Sequence, residues 1–464
     1  MRKYQAVFPF IFIFILVFIS FVPINSLGAP QGVQLVSTES TEKSFRQGIV
    51  VDENNNIHIV WNDLTNYGGS GSDLDIFYKR WNASAGSWLS TEVVSTESGS
   101  YSEAPKMDID SLGNIHVIWH DGSNYNSAGT DADIFYKMLN ATTWLWTPTE
   151  VVSTESTQAS LWPALSVDSM NNVHVAWDDV TNYLSSGTDN DIFYKYRNVS
   201  TGMWSTAEVI STESTANSRF ASIIADKNDA PHLAWHDATD LSSGSDNDIF
   251  YKFWNLTLMN WSPVSVVSTE SDLNSERVSL AFDNTDNLHF AWHDLTDYNG
   301  AGADSDIFFK RLSSQNIWST TEIISSGSNL MEYVPSIAID STNTIHVVWF
   351  NGLDRNAPSN IFYRYWDSST SQWSTIQEIR TTSLKSWRPE IYIDETDNIH
   401  MTWSEGNDVD DDFDIYYAMI SDNPSTIFGY STVILISIGG LLIIVLIMLR
   451  TRKLRQLSEQ KNKN

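Results

Sequence analysis

Histidine returns at a nearly constant interval along this chain, so it is the first residue type to examine for chemistry. A catalytic or metal-binding role for all copies would require seven equivalent sites, whereas an interior imidazole usually just completes a hydrogen bond. We therefore interpret these histidines as structural, joined with Asp75, Lys79 and their copies in an Asp–His–Lys network. The repeated residues are His58, His116, His174, His232, His289, His346 and His400.

Three further histidines break the repeat, and a single active site on a repeat protein has to come from such positions. His120, His236 and His293 each follow a repeated tryptophan and precede an aspartate. One interpretation is that they line part of a central site. The other is that they are solvated loop residues beside an acid, which is common on protein surfaces.

Acidic loops with the pattern Gly-x-Asp-x-Asp recur between the predicted second and third strands of repeats one to five. Carboxylate oxygens at alternate positions beside flexible glycine and serine suit Ca²⁺. The same residues favour turns for local reasons, so turn formation is the alternative. The candidate Ca²⁺ ligands are Asp73, Asp75, Asp131, Asp133, Asp189, Asp191, Asp246, Asp248, Asp304 and Asp306.

Four Asn-x-Ser/Thr sequons fall in equivalent turns on the face opposite the acidic loops. They are candidates for N-glycosylation, which such turns tolerate, and asparagine also serves turns without a sugar. The sites are Asn82, Asn140, Asn198 and Asn255.

The repeat predicts the fold. Each copy holds four short segments rich in β-branched and aromatic residues and separated by turn residues, which in repeat three are 164–167, 173–177, 192–196 and 204–210. Seven copies of a four-stranded unit predict an all-β, seven-bladed β-propeller.

The last repeat lacks its fourth segment, and the start of the chain supplies one. Residues 32–36 begin a fourth-strand motif that has no repeat before it. We expect this N-terminal strand to pair with residues 415–419 and to close the last blade, which removes an exposed sheet edge.

The two ends of the chain differ from the repeats. Residues 1–29 combine two basic residues with an apolar run and then small residues, which predicts a secretory signal peptide, with an uncleaved anchor helix as the alternative. Residues 425–449 carry no charge and are long enough to span a hydrocarbon core of about 30 Å as a helix. The basic tail at 450–464 predicts a cytoplasmic C-terminus and an extracellular propeller over residues 30–424, on a single-pass anchor in the cell membrane.

Composition limits the partners of this protein. The chain has 57 acidic and 27 basic residues, a net charge of −30, and no cysteine. An acidic surface repels phosphate backbones, so nucleic acid is not expected as a partner. The lack of cysteine excludes disulfides and thiolate sites and favours an archaeal or bacterial source.

The turns between the third and fourth strands carry a family resemblance. Ser84-Ala-Gly86-Ser-Trp88 and Ser200-Thr-Gly202-Met-Trp204 are similar to the S-x-D-x-G-x-x-W motif of sialidase-like, Asp-box (BNR) propeller repeats. Both turns lack the aspartate and are shorter than the motif. The resemblance covers about residues 31–424 and implies a propeller fold.

The same resemblance directs attention to three arginines. Sialidases hold a substrate carboxylate with three arginines, and Arg46, Arg277 and Arg388 share one repeat position just before the predicted first strand. Bidentate pairing makes arginine suitable for a carboxylate. Sialidases usually have six blades and add a Tyr–Glu pair and an acid, which this sequence does not assign. The weak catalytic candidates are therefore these arginines and the three repeat-breaking histidines.

These features favour a non-enzymatic cell-surface adhesion or recognition module. It would bind a glycan or protein ligand on its acidic, long-looped face, with Ca²⁺ as a candidate cofactor and no other cofactor expected. The alternatives are a sialidase-like glycan hydrolase or lyase and a structural component of the cell envelope, because propellers host many functions.

Overall fold

Every regular element that the structure describes is a β-strand, so the predicted all-β class is confirmed. The predicted signal peptide at 1–29 and the basic tail at 450–464 lie outside the described residues. The computed structural model describes residues 32–241, 244, 246–300, 302, 304–325, 330–352, 358–407, 412–420, 434–438 and 441–445.

The predicted membrane helix at 425–449 falls mostly outside the described residues. The parts that are described form two antiparallel strands, Ile434–Ile438 and Leu441–Val445. The described residues are rich in isoleucine, and β-branched residues favour strands. Within the described residues, no helix is long and apolar enough to cross a membrane.

Each repeat forms three long antiparallel strands. The first strands are Ser44–Val51, Ser102–Ile109, Ser160–Val167, Ser218–Ala225, Ser275–Phe282, Met331–Ile339 and Lys385–Ile393. The second strands are Ile57–Asp63, Ile115–Asp121, Val173–Asp179, Pro231–Asp237, Leu288–Asp294, Ile345–Gly352 and Ile399–Asn407. The third strands are Asp75–Asn82, Asp133–Leu139, Asp191–Asn198, Asp248–Asn255, Asp306–Leu312, Ser359–Asp367 and Asp412–Ile420.

The predicted fourth strand is present only as short outer segments that pair with the third strand. In repeat one, Thr91 lies between two such segments, and its hydroxyl donates to Glu39 at 2.8 Å. The outer segments are Ser87–Trp88, Glu92–Val93, Glu150–Val151, Met203–Trp204, Glu208–Val209, Asn260–Trp261, Ser265–Val266, Glu322–Ile323, Gln372–Trp373 and Gln377–Arg380.

The sheets surround a common centre. The first strands of successive repeats contact one another, and the first strand of repeat seven contacts that of repeat one. Repeats one to five each form a sheet of four or five strands, whereas a single parallel contact, Ser359 with Lys385, joins repeats six and seven into one nine-stranded sheet. The second strands are buried on both faces, as expected of sheets packed between neighbours.

The start of the chain pairs with its last repeat. Gln34–Leu35 lies antiparallel to Asp412–Ile420, with Gln34 opposite Tyr417. The Val36 side chain is fully buried, and its backbone N–H donates to the Ile415 carbonyl at 2.8 Å. The predicted pairing of residues 32–36 with residues 415–419 is confirmed.

The repeated histidines are structural, but their partners differ from the predicted Asp–His–Lys network. In repeat three, His174 Nδ1 lies 2.7 Å from the Tyr194 hydroxyl and Nε2 lies 3.1 Å from Asp168. The repeated lysine points to the other face of its strand, because neighbouring residues alternate. The seven repeated tryptophans are buried as core residues, namely Trp61, Trp119, Trp177, Trp235, Trp292, Trp349 and Trp403.

In repeats one to five, the repeated lysine joins its sheet to the preceding fourth-strand segment. Lys137 Nζ donates to the Val94 carbonyl at 2.8 Å and to the Thr96 hydroxyl at 2.8 Å, and it forms an ion pair with Glu97 at 2.6 Å. The repeated aspartate makes a separate contact, since Asp133 Oδ1 accepts from Ser153 at 2.7 Å. Three separate sets of contacts therefore replace the single predicted network.

Candidate functional site

One residue from each first strand lines the centre of the ring. The register between first and second strands shifts in every repeat, in repeat one between Phe45 and Gly48. A β-bulge changes the direction of a side chain. The bulged residue of the first strand has φ between +48° and +59° in all seven repeats. The residues are Arg46, Ala104, Trp162, Phe220, Arg277, Val334 and Arg388, and they line one pocket of about 260 Å³.

The three predicted arginines therefore meet at one pocket, but they lie inside the first strand and not before it. The prediction began each strand at its apolar run. In the structure, the polar residues ahead of the bulge still pair with the second strand, as Ser44 does with Asp63. The bulge between the two paired stretches is what turns Arg46 toward the centre.

The arginines lie against aromatic rings. The Arg46 guanidinium carbon is 4.5 Å from the centroid of Trp162, and that of Arg277 is 3.3 Å from the centroid of Phe220. Arg46 also donates to Glu103. The pocket thus presents cations held by π-faces, an arrangement that keeps a guanidinium in place while leaving edge N–H groups for an anion.

The charge at the centre is only partly compensated. Burial, and then the neighbouring Arg388, lowers the pKa of Arg277 to about 9, against the opposing effect of Asp178. On the pocket wall, Lys106 Nζ and Glu390 Oε1 pair at 2.6 Å and cancel each other. An anion bound between the arginines would favour their charged forms.

The three repeat-breaking histidines are buried, so the solvated-loop interpretation is wrong. They are second-strand residues, and 3 to 7% of each is exposed. His120 lies edge-on to Trp162 at 5.5 Å between ring centroids, and His236 lies 5.2 Å from Phe220. Burial, and then a nearby arginine, lowers the pKa of both His120 and His236 to about 3, so they are neutral at pH 7. His120 and His236 lie behind the pocket wall, whereas His293 lines a second cavity.

Asp178 is a site residue that sequence reasoning did not single out. It is fully buried, accepts the Phe220 backbone N–H at 2.9 Å and is 3.4 Å from Arg219 Nε. Burial raises its pKa to about 7, although Arg219 acts in the opposite direction. Asp178 thus holds the bulge that carries Phe220. The available signal was its repeat position, the one that His120 occupies.

Comparisons with known proteins match this chain in fold only. No protein-family model and no curated protein matches it. A PL25 ulvan lyase, solved bound to a GlcA–Rha3S saccharide, has a TM-score of 0.58 at 10% identity over 82% of this chain and 95% of that chain. The polysaccharide lyase Uly1 has a TM-score of 0.50 at 10% identity, over 87% and 94%. A leech intramolecular trans-sialidase complexed with 2,7-anhydro-Neu5Ac has a TM-score of 0.46 at 8% identity, over 85% and 92%.

The chain folds as a β-propeller. At these identities the likeness extends to the fold and not to the chemistry, because one fold carries many functions.

The acidic loops of this propeller have a repeated geometry that local structure explains in part. Gly129 has a φ of +127°, and a Cβ there would stand 2.7 Å from the Asp131 carboxylate, so only glycine fits. Asp133 begins the third strand, and burial raises its pKa to about 6. Among the described residues, no three His, Asp or Glu side chains are grouped so as to hold a metal ion. Ca²⁺ binding stays a prediction.

The sequon asparagines lie in the predicted turns between third strands and outer segments. Each side-chain oxygen accepts a turn N–H, as Asn82 Oδ1 does from Ala85 at 3.0 Å and Asn255 Oδ1 from Leu258 at 3.0 Å. The asparagine therefore shapes the turn. Glycosylation stays a prediction.

Proposed function

We propose that each of the seven repeats is one blade, so that residues 30–424 form a seven-bladed propeller on the outside of the cell. The contact between repeats seven and one supports a closed ring. An anchor at 425–449 and a cytoplasmic tail at 450–464 complete the proposed topology. Protease added to intact cells is expected to remove the propeller and to spare the tail, and a protected propeller would contradict this topology.

Within that architecture, the proposed activity is recognition of an anionic saccharide at the central pocket. The observation that carries the proposal is the meeting of Arg46, Arg277 and Arg388 with Trp162 and Phe220 in a chain of net charge −30. Guanidinium groups pair with carboxylate or sulfate, and aromatic faces cover the apolar side of a sugar ring. The glycan-active proteins that share the fold are consistent with a carbohydrate ligand.

The pocket lies toward the acidic, long-looped face. Phe45, next to Arg46, pairs with Asn62, and the acidic loop leaves the second strand just beyond Asp63. Extended polyanions are repelled by the surrounding carboxylates, whereas one anionic sugar can reach the arginines. This contrast favours a small acidic saccharide or the end of a chain over nucleic acid.

Calorimetric titration tests the proposal with N-acetylneuraminic acid, glucuronic acid and neutral glucose. Other repeats carry Ala104 and Val334 at the arginine position, so Arg277→Ala and Arg388→Val use residues that the bulge already accepts. Each variant is expected to weaken binding of an acidic sugar by about thirtyfold or more, and glucose is not expected to bind. Arg311→Ala, at an exposed third-strand residue, is the matched control. Binding that ignores the arginine variants, or no binding of either acid, would contradict the proposal.

A second candidate function is cleavage of the same kind of ligand, as a sialidase-like hydrolase or a polysaccharide lyase. The favouring observation is the group of buried polar residues behind the pocket, His120, Asp178 and His236. Against it, none of the three lines the pocket. Incubation with acidic polysaccharides should then release reducing ends, with an unsaturated-sugar ultraviolet absorbance if the reaction is elimination. Neither signal above that of an Arg277→Ala sample would leave recognition as the function.

A further inference from the structure

A second cavity of about 550 Å³ opens beside the central pocket, between repeats five, six and seven. Arg277, Val334 and Arg388 belong to both, so the two spaces share a wall. A single extended ligand can therefore occupy both. The cavity is within the size range of small-molecule sites, which are mostly apolar with a few placed polar groups.

Aromatic residues form one side of this cavity. Tyr333, Phe350 and Trp387 are half-buried, and the centroids of Tyr333 and Phe350 are 5.6 Å apart. Trp387 stacks on the buried ring of Phe413 at 5.0 Å, which fixes its orientation. These rings offer flat, rigid apolar surfaces of the kind that the apolar face of a pyranose covers.

The aromatic wall breaks the repeat. The positions equivalent to Phe350 carry small or polar residues, namely Asn62, His120, Asp178, His236, His293 and Ser404. The position of Tyr333 and Trp387 carries Glu103, Leu161, Arg219 and Glu276 in repeats two to five. Repeat one carries Phe45 at the position of Tyr333 and Trp387, but repeats two to five have no Phe, Tyr or Trp at either position, so packing of the ring does not require these side chains.

Polar groups face the aromatic wall from repeat five. Glu276 Oε2 lies 3.8 Å from His293 Nε2, and Asn247 Nδ2 donates to Glu276 Oε1 at 2.9 Å. These contacts hold the Glu276 carboxylate at the cavity, where it can accept hydrogen bonds from sugar hydroxyls. An acceptor opposite stacking surfaces suits a neutral, hydroxyl-rich unit better than a second anion.

We propose that this cavity is a second subsite for the same saccharide, so that the ligand has at least two sugar units. The anionic group of one unit lies at Arg277 and Arg388, and the adjoining neutral unit stacks in the cavity. This inference rests on the proposed function of the central pocket. The inference adds a minimum length for the ligand, and it places the second sugar unit beside repeats five, six and seven.

The test compares acidic monosaccharides with longer glycans that end in them. The full-length protein is titrated with N-acetylneuraminic acid against 3′-sialyllactose, and with glucuronic acid against a glucuronate–rhamnose disaccharide. The longer member of at least one pair is expected to bind about tenfold more tightly, the gain expected of well-packed aromatic contacts. Equal affinities within both pairs would overturn the second subsite while leaving the central pocket intact.

Variants that copy the residue at the equivalent position of another repeat are expected to preserve the fold. Phe350→Ser copies Ser404, and Tyr333→Leu copies Leu161, at equivalent positions. Both variants are expected to reduce the affinity for the longer glycan to that of its monosaccharide and to leave the monosaccharide unchanged. Leu161→Ala, at the position equivalent to Tyr333 but away from the cavity, is the control.

The other possible outcomes show whether the second subsite alone or also the central pocket is contradicted. Loss of both ligands in Arg277→Ala, with no effect of Phe350→Ser or Tyr333→Leu, would overturn only the second subsite. Absence of binding by either member of both pairs would overturn the central pocket and the subsite together. Tight binding of neutral lactose that Phe350→Ser abolishes and Arg277→Ala spares would show a sugar site independent of the anion, which also overturns the inference.

Discussion

The contacts that hold strands and sheets together differ from the side chains at the centre of the ring in how far they follow the repeat. The repeated histidine lies beside an aspartate in all seven repeats and beside a tyrosine hydroxyl in six, as His116 does with Asp110 and Tyr136. The central bulge residues change from arginine to alanine, tryptophan, phenylalanine and valine. The backbone conformation repeats in both regions. The two regions therefore differ in the neighbours or ligands that their side chains contact.

This difference separates assembly from recognition. A residue that links strands or sheets meets nearly the same neighbours in every repeat, so the same residue type can serve there each time. A residue at the centre faces the bulge residues of the other six repeats across a shared pocket, and the seven positions hold five residue types, so a single ligand can contact several kinds of side chain. Changes to the two regions should therefore affect different measurements. Changes to the contacts that hold strands and sheets together should affect stability, and changes at the centre should affect binding or pH dependence.

The largest effect is expected from removing the N-terminal strand. Lys79 Nζ donates to the Val36 carbonyl at 3.0 Å and to the Thr38 hydroxyl at 2.6 Å. Deletion of residues 32–40 leaves this buried ammonium group without those acceptors and exposes the edge of Asp412–Ile420. The unfolding free energy is expected to fall by about 5 kcal/mol or more, measured by urea denaturation.

A second variant separates the causes of that loss. Lys79→Met in the full chain removes the buried charge but keeps the strand, so it should cost less than the deletion. An unchanged denaturation midpoint in the deleted protein would mean that the pairing of Gln34–Leu35 does not contribute to closure.

The next effect is a pH dependence that should have opposite signs in the two regions. Burial raises the pKa of Asp178 at the centre to about 7, from about 4 in an unfolded chain. Its contribution to stability is therefore fully present below pH 4 and is lost as pH rises through 7. Asp178→Asn stays neutral, so its unfolding free energy relative to the unaltered protein should rise by up to about 4 kcal/mol between pH 4 and 8.

Asp226, which lies beside His232 within the sheet of repeat four, provides the comparison. Although burial acts to raise it, hydrogen bonds from His232 and from backbone N–H groups lower the pKa of Asp226 to about 2. Its contribution is present above pH 4 and is lost as pH falls through 2. Asp226→Asn should therefore be less stable than the unaltered protein at neutral pH, and this deficit should shrink in acid. The same sign for both variants would remove the proposed distinction.

The sequence predicts the repeated region well because periodicity carries it. The all-β class, the positions of the second and third strands and the pairing of the N-terminal segment follow from the repeated motifs and their spacing. The partners of the histidines do not, because His58 meets Tyr78 while Lys79 lies on the opposite face of the same strand. Which face a residue uses depends on the register between strands, and a period does not specify register.

The centre is less predictable for the same reason. The shared repeat position indicated the three arginines, but Trp162 and Phe220 at that position were not among the candidate residues. Only the bulge turns them toward the pocket, and a register shift leaves no trace in the pattern of apolar residues. Repeat position, rather than residue type, was the usable signal.

A smaller effect is expected where the network itself departs from the repeat. Phe309 stands in repeat five where other repeats have the tyrosine that meets the histidine, and His289 Nδ1 is buried without a hydrogen-bond partner. Phe309→Tyr is expected to raise the unfolding free energy by about 1 kcal/mol, measured by urea denaturation, because the new hydroxyl satisfies that nitrogen. Tyr194→Phe is the reverse experiment and should lower it by a similar amount. Equal stability of both variants and the unaltered protein would show that the hydroxyl does not matter.

The smallest effect is expected from Ca²⁺ at the acidic loops, which belong to neither region. In repeat two, Asp131 and Asp133 stand two residues apart, and the Oδ2 atom of Asp133 is buried without a hydrogen-bond partner. Close carboxylates repel one another, and the neighbouring Asp131 acts with burial to raise the pKa of Asp133. A divalent ion would relieve that repulsion, but two carboxylates per loop make a weak site. At a free Ca²⁺ concentration equal to the dissociation constant, one site stabilises the protein by only about 0.4 kcal/mol.

Repetition makes so small an effect measurable. Five loops share the pattern, so their contributions add if each binds independently. The melting temperature in millimolar CaCl₂ is therefore expected to exceed that in NaCl of matched ionic strength, which supplies screening without coordination. Asp131→Asn combined with Asp133→Asn should lower the calcium stoichiometry by one. Equal melting temperatures in the two salts would mean that these aspartates only shape the turn and the start of the third strand. The hydrogen bond that Asp133 accepts from Ser153 is one contact of that structural kind.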